Sequence, residues 1–187
     1  MKKIILSTLI LAALSSCKKE SSKTEGSTVS NDSISVTEKP GSETSTYISK
    51  EVAPEKIGDY LAKNNDTLYI TNFFATWCGP CMKEIPHFKK KMEELKGQPV
   101  KFTFVNLDEK SEWNTSVKRF AQENDLANNI VLLDGKKLDQ NFFPKNFKQW
   151  DGGSIPFTYM RKGTKTDEFL GMMSEDMLNS KINSFLK

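Results

Sequence analysis

Apolar residues fall along this chain in three regimes. A short, largely apolar run covers Ile4 to Leu14, residues 18–46 carry only isolated ones, and from about residue 52 they recur with the periods of helices and strands. Ile57, Tyr60 and Leu61 share one face, which predicts a short helix within 53–66. TLYITNFFA (67–75) is apolar on both alternating faces and rich in β-branched and aromatic residues, the pattern of a buried central strand. Ile85, Phe88, Met92 and Leu95 follow at steps of three and four among Lys and Glu, an amphipathic helix stopped by Gly97. VKFTFVNLD (100–108) is the next strand, and Ser111 should cap a helix with Trp113, Val117, Phe120 and Ala121 inward. IVLLD (130–134) reads as a short strand, and 136–150 as a partly helical connection broken at Pro144. IPFTYM and TDEFLG flank RKGTK as an antiparallel hairpin. Ser174 should cap a last helix whose inner face carries Met177, Leu178, Ile182, Phe185 and Leu186. Strands alternating with helices, then a hairpin and one helix, give an α/β fold with a central mixed sheet flanked by helices.

The first run is too short for the ~20 residues of a membrane-spanning helix. With Lys2 and Lys3 before it and small residues after it, residues 1–16 read as a cleaved export signal. LSSC (14–17) resembles the lipobox of bacterial lipoproteins, in which the chain is cut before the cysteine and Cys17 is then acylated. The resemblance implies a protein outside the cytoplasm, lipid-anchored to a bacterial membrane, and the alternative is an ordinary signal peptide whose cleavage leaves Cys17 a free thiol. Residues 17–50, dominated by Ser, Thr, Glu and Lys, cannot bury enough apolar area to offset ordering and should form a disordered tether. A coil of that length reaches about 30 Å. Residues 51–187 remain as one domain. Removing residues 1–16 takes away two lysines and no acid, so the formal charge drops from +3 to +1, and nothing in it argues for nucleic acid.

With Cys17 lipidated, two of the three cysteines remain, Cys78 and Cys81 in WCGPC. As a structural clip the pair would close a loop of only four residues, worth roughly 2 kcal/mol. As half a zinc site it lacks partners: His87, the single histidine, lies about 240° round the helix from Cys81, on a face expected to be solvated. A c-type haem needs histidine where Met82 stands. No cofactor is therefore expected beyond the cysteine pair itself. Redox exchange suits the local physics. Cys78 sits where a helix starts, so free backbone N–H groups and the helix dipole stabilise its thiolate. Pro80 fits the first turn without losing a hydrogen bond. Cys81, one turn in, is placed to attack a mixed disulfide at Cys78.

FFATWCGPCMKEIP resembles the active-site segment of the thioredoxin superfamily, in its TlpA/ResA-like extracytoplasmic branch, and the likeness extends over about residues 55–187. The resemblance implies a thioredoxin-like fold and a thiol–disulfide oxidoreductase. It makes Cys78 the attacking and Cys81 the resolving cysteine, with Trp77 packed beside them and Pro86 kinking the helix. It also implies a cis-proline loop at Ile155–Pro156, where Pro156 faces the disulfide and the Ile155 backbone pairs with a substrate strand. Trp77, Gly79, Pro80, Ile155 and Pro156 then form the substrate-binding surface. Cytoplasmic-type thioredoxins keep an aspartate where this chain has Asn72. Glu84 matches a glutamate of the TlpA/ResA-like branch and shares a helix face with Cys81, so it is the candidate proton acceptor, set against a surface glutamate among lysines. The branch's usual PxFxLxDxxG entry segment is not recognisable.

The expected partners are protein disulfides or thiols and a membrane protein that donates electrons. Reduction of exported proteins is the leading direction, with oxidation or isomerisation as the alternative. A non-catalytic binding lipoprotein, using Met160, Met172, Met173, Phe142, Phe143 and Trp150 as a surface, is the reading from another class.

Overall fold

The computed structural model describes residues 50–187, so the expected export signal, Cys17 and the expected tether up to residue 49 lie outside the described residues. A 3₁₀ turn at Pro54–Lys56 leads into helix α1 (Gly58–Leu61), followed by β1 (Leu68–Phe74), α2 (Gly79–Glu94) and β2 (Val100–Asn106). Next come α3 (Lys118–Glu123), β3 (Ile130–Leu132), α4 (Phe142–Asn146), the hairpin β4 (Phe157–Lys162) and β5 (Lys165–Leu170), and α5 (Glu175–Leu186). The five strands form one sheet in the order β3-β2-β1-β4-β5. β1 runs parallel to β2 and antiparallel to β4. β3 is parallel to β2, and β5 antiparallel to β4. This is the mixed sheet that the alternation of elements predicts.

All seven residues of β1 are buried, which explains why its pattern lacks polar alternation. Its even positions, Leu68, Ile70 and Phe74, join the core formed with Ile85 and Phe88 of α2 and with Leu178, Ile182 and Phe185 of α5. Phe73 points the other way, into a second core with Ile57, Leu61, Phe142, Phe147, Trp150 and Phe157. Strand alternation therefore puts Asn72 on the face covered by α2. Thr158, its register partner on β4, shares that face. Ahead of α1, Val52 N–H donates to the Leu132 carbonyl and Leu132 N–H to that of Lys50, each at 2.8 Å, so the chain is engaged with β3 from its first described residue.

Three expectations are corrected. Ser111 does not cap a helix: it lies inside a 3₁₀ turn (Lys110–Glu112) that Glu109 precedes, and a π-helical turn (Trp113–Val117) then feeds α3. Trp113 and Val117 reach the core all the same, because the apolar spacing survives the change of winding. Pro144 does not break its connection; it is the third residue of α4, where a backbone N–H has no intrahelical partner to lose. Met177 is 39% exposed rather than inward, since it sits in the first turn of α5 beside the cap. The cap itself is as expected, Ser174 Oγ accepting from Met177 N–H at 3.3 Å.

Candidate active site

β1 ends at Phe74 and Ala75–Trp77 turns the chain into α2 with Cys78 as its N-cap residue, in extended conformation. Cys78 and Cys81 form a disulfide with Cα atoms 5.2 Å apart. The Cys78 sulfur accepts from the Cys81 N–H at 3.2 Å, so an otherwise free N–H of the first turn points at the atom that carries charge once the pair is reduced. Cys78 keeps 4% exposure and Cys81 none, which leaves Cys78 as the sulfur a partner can reach. Gly79 and Pro80 are exposed beside it. Trp77, expected to pack against the pair, is 72% exposed and offers its ring to solvent.

The Ile155–Pro156 peptide bond is cis, and the Ile155 carbonyl oxygen lies 3.8 Å from the Cys78 sulfur. Pro156 is buried and Ile155 half-buried. The fold thus brings the Ile155 carbonyl of the cis-proline loop to the Cys78 sulfur across 77 positions of chain, with Trp77, Gly79 and Pro80 exposed beside Cys78 in sequence.

Glu84 is fully buried, not a surface residue. Asn72 Nδ2 donates to its Oε1 at 2.7 Å and to Thr158 Oγ1 at 3.0 Å. The Met173 N–H donates to its Oε2, also at 2.7 Å. Burial raises its pKa from 4.5 to about 7, against the lowering effect of the Met173 N–H and the Asn72 amide, because removing a carboxylate from water costs more than two donors return. The same Met173 accepts, through its carbonyl, a contact of 3.2 Å from His87 Nδ1. His87 is therefore half-buried against the segment before α5, not solvated. Glu84 and His87, one turn apart on α2, hold the backbone N–H and the carbonyl of the same residue, Met173.

Asp108 was not singled out by the sequence. It is buried just beyond β2, its Oδ2 accepting from Thr76 N–H at 2.7 Å and from Asn106 Nδ2 at 2.6 Å. Its Oδ1 accepts from Thr76 Oγ1 at 2.6 Å. The carboxyl pins the residue two before Cys78, so it sets the path of the chain into the disulfide. Its place at the carboxyl end of the strand parallel to β1 is the signal that marks such a residue. Asp108→Ala should cost about 3 kcal/mol, since it leaves buried donors unpaired; urea unfolding of the oxidised protein measures it. Thr158 was equally unmarked, being visible only through its register with Asn72. Among the described residues no group of three or more His, Cys, Asp or Glu side chains is placed to hold a metal ion.

The thioredoxin family model matches residues 49–122. The mitochondrial thioredoxin-2 of Schizosaccharomyces pombe (strain 972 / ATCC 24843) is 34% identical over 102 residues, covering 52% of this chain and 70% of that relative. The thiol-disulfide oxidoreductase ResA of Bacillus subtilis (strain 168) is 28% identical over 115 residues, 60% of this chain and 58% of the relative. A thiol:disulfide interchange protein of the thioredoxin family from Chlorobium tepidum TLS shares the fold, with a TM-score of 0.54 at 19% identity over 66% of this chain and 82% of that one. A redox-capable cysteine pair at the start of a helix, beside a cis-proline loop on a five-stranded mixed sheet, defines the class, and the chain belongs to the thioredoxin family of thiol–disulfide oxidoreductases.

Proposed function

We propose that this protein is a lipid-anchored reductase of disulfides in exported proteins, working outside the cytoplasm of a bacterium. The observation that carries the reading is the accessible Cys78 sulfur lying 3.8 Å from the Ile155 carbonyl of a cis-proline loop. An extended segment of a partner can hydrogen-bond that backbone and present its disulfide to Cys78.

In the reduced protein the Cys78 thiolate attacks one sulfur of the partner's disulfide. The partner's S–S bond breaks, its other sulfur leaves as a thiolate that takes up a proton, and a mixed disulfide forms at Cys78. Cys81 gives up its proton and attacks the Cys78 sulfur, closing the Cys78–Cys81 bond and expelling the partner's second sulfur as a thiolate that takes up a proton from solvent. Glu84, buried one turn beyond Cys81 with a pKa of about 7, receives that proton. Two electrons pass to the partner in each cycle. Because cytosolic reductants do not reach an exported protein, a membrane protein returns them.

The apolar run ending in LSSC supports the anchor at Cys17. Among the described residues no helix is long and apolar enough to cross a membrane, and a lipid would supply attachment without one. An insulin-reduction assay tests the activity: the chemically reduced protein should precipitate insulin chains catalytically, and absence of turnover overturns the reductase reading. Mass spectrometry of membrane-extracted protein should find fatty acyl groups on Cys17 as the first residue. An unmodified Cys17 that alkylates freely overturns the anchor and leaves the redox chemistry standing.

A further inference from the structure

The chain between β3 and β4 gathers an aromatic cluster behind one short loop. Trp150 is buried and stacks on Phe157, ring centroids 4.5 Å apart and planes within 15°. Phe73 and Phe147 pack on the same indole at 4.7 and 5.2 Å. Its N–H donates to the Ser154 carbonyl at 2.9 Å. One side chain therefore holds the residue just before Ile155 and the residue just after Pro156.

The surroundings fix the indole in turn. On β5, Glu168 Oε1 and Oε2 accept from the Lys148 N–H at 2.9 and 3.1 Å, and Oε2 from the Gln149 N–H at 2.7 Å, so the backbone entering Trp150 is clamped to the sheet. Beyond it the chain turns through Gly152 at φ +86°. A Cβ there would lie 2.2 Å from Cζ of Phe143, so only glycine lets that ring close over the turn. A core position that needs apolar volume alone is served by Phe or Leu. An indole whose N–H is aimed at an exposed loop carbonyl has a further role.

We propose that Trp150 is a positioning residue for substrate recognition: it sets the Ile155 backbone at the depth where a partner's extended segment pairs while its disulfide meets Cys78. The proposal rests on the protein-disulfide reading above. It assigns specificity for peptide over small disulfides to the aromatic cluster, since a small disulfide needs Cys78 but not the loop.

Trp150→Phe keeps a ring on Phe157 and removes the N–H donor. With the full-length chain, kcat/KM for a disulfide-bonded peptide should fall about fivefold, the weight of one neutral hydrogen bond, with the loss in KM. Reduction of hydroxyethyl disulfide should stay within about twofold of wild type, and amide exchange at Ile155 should quicken. Equal losses on both substrates, or unchanged peptide kinetics, overturn the proposal. Trp150→Leu, which also removes the stack, should enlarge the same selective loss; if it does not fold, the Trp150→Phe comparison carries the test by itself. If the wild type reduces hydroxyethyl disulfide but no peptide, the protein-disulfide reading fails. Exchange at Ile155 then decides for Trp150: faster exchange in Trp150→Phe retains positioning, and wild-type exchange removes it.

Discussion

Cys81→Ala should convert the protein from a catalyst into a trap that retains one equivalent of substrate per chain. The variant keeps the N-cap position of Cys78 and the free N–H of residue 81 that points at its sulfur, so the first attack proceeds. The second cannot, because no thiol stands behind the mixed disulfide. Multiple turnover should cease, and non-reducing electrophoresis should show adducts that dithiothreitol dissolves. Cys78→Ala should form none, since Cys81 has no exposed surface through which a folded partner reaches it. Alkylation of the reduced wild type should label Cys78 first, with peptide mapping separating both cysteines from Cys17. Preferential labelling of Cys81, or adducts on Cys78→Ala, would reverse the assignment of roles. Isolated from cells, the adducts name the partners.

That experiment rests on residues readable from the chain itself. WCGPC follows an apolar strand and opens an amphipathic helix, so its position at a helix start is a matter of local pattern. The cis-proline loop was legible only through likeness to a family, since nothing in GGSIPFTYM distinguishes a cis from a trans bond. What the sequence hid is what the sheet assembles. Asn72 and Thr158 are 86 positions apart and meet only because β1 pairs with β4 in one register. His87 falls outside the inward stripe of α2, and its burial depends on where the segment before α5 lies. Ser111 and Pro144 misled for a local reason: capping and breaking rules assume a regular α-helix, and here the chain winds through 3₁₀ and π turns or places its proline in a first turn. Trp150 read as part of a candidate binding surface, whereas the fold gives its ring to the core and its N–H to a loop.

Glu84→Gln should slow closure of the Cys78–Cys81 bond by ~10²-fold near pH 8, the lower range of general-base contributions. In the wild type the carboxylate able to take a proton accumulates as pH rises through about 7, so single-turnover closure from a preformed mixed disulfide should rise across the same range. The variant should lose that rise and follow only ionisation of the Cys81 thiol, while the initial attack by Cys78 changes little. Stability gives a second reading with a definite sign. The folded pKa lies above the ordinary 4.5, so the folded state favours the protonated form. That contribution is complete below about pH 4.5 and is lost as pH rises through about 7, on the order of 3 kcal/mol in full. Glu84→Gln should abolish this slope. The substitution is not silent in shape, because both carboxyl oxygens accept N–H groups and an amide offers only one acceptor. The Asn72 Oδ1 is buried without a partner, so a rotated Asn72 amide can accept from the N–H of the substituted side chain and limit the cost. Closure profiles of wild type and variant that superimpose in pH would make Glu84 a structural residue and move the proton acceptor elsewhere. A lost pH slope in stability alone would show only that the carboxyl titrates.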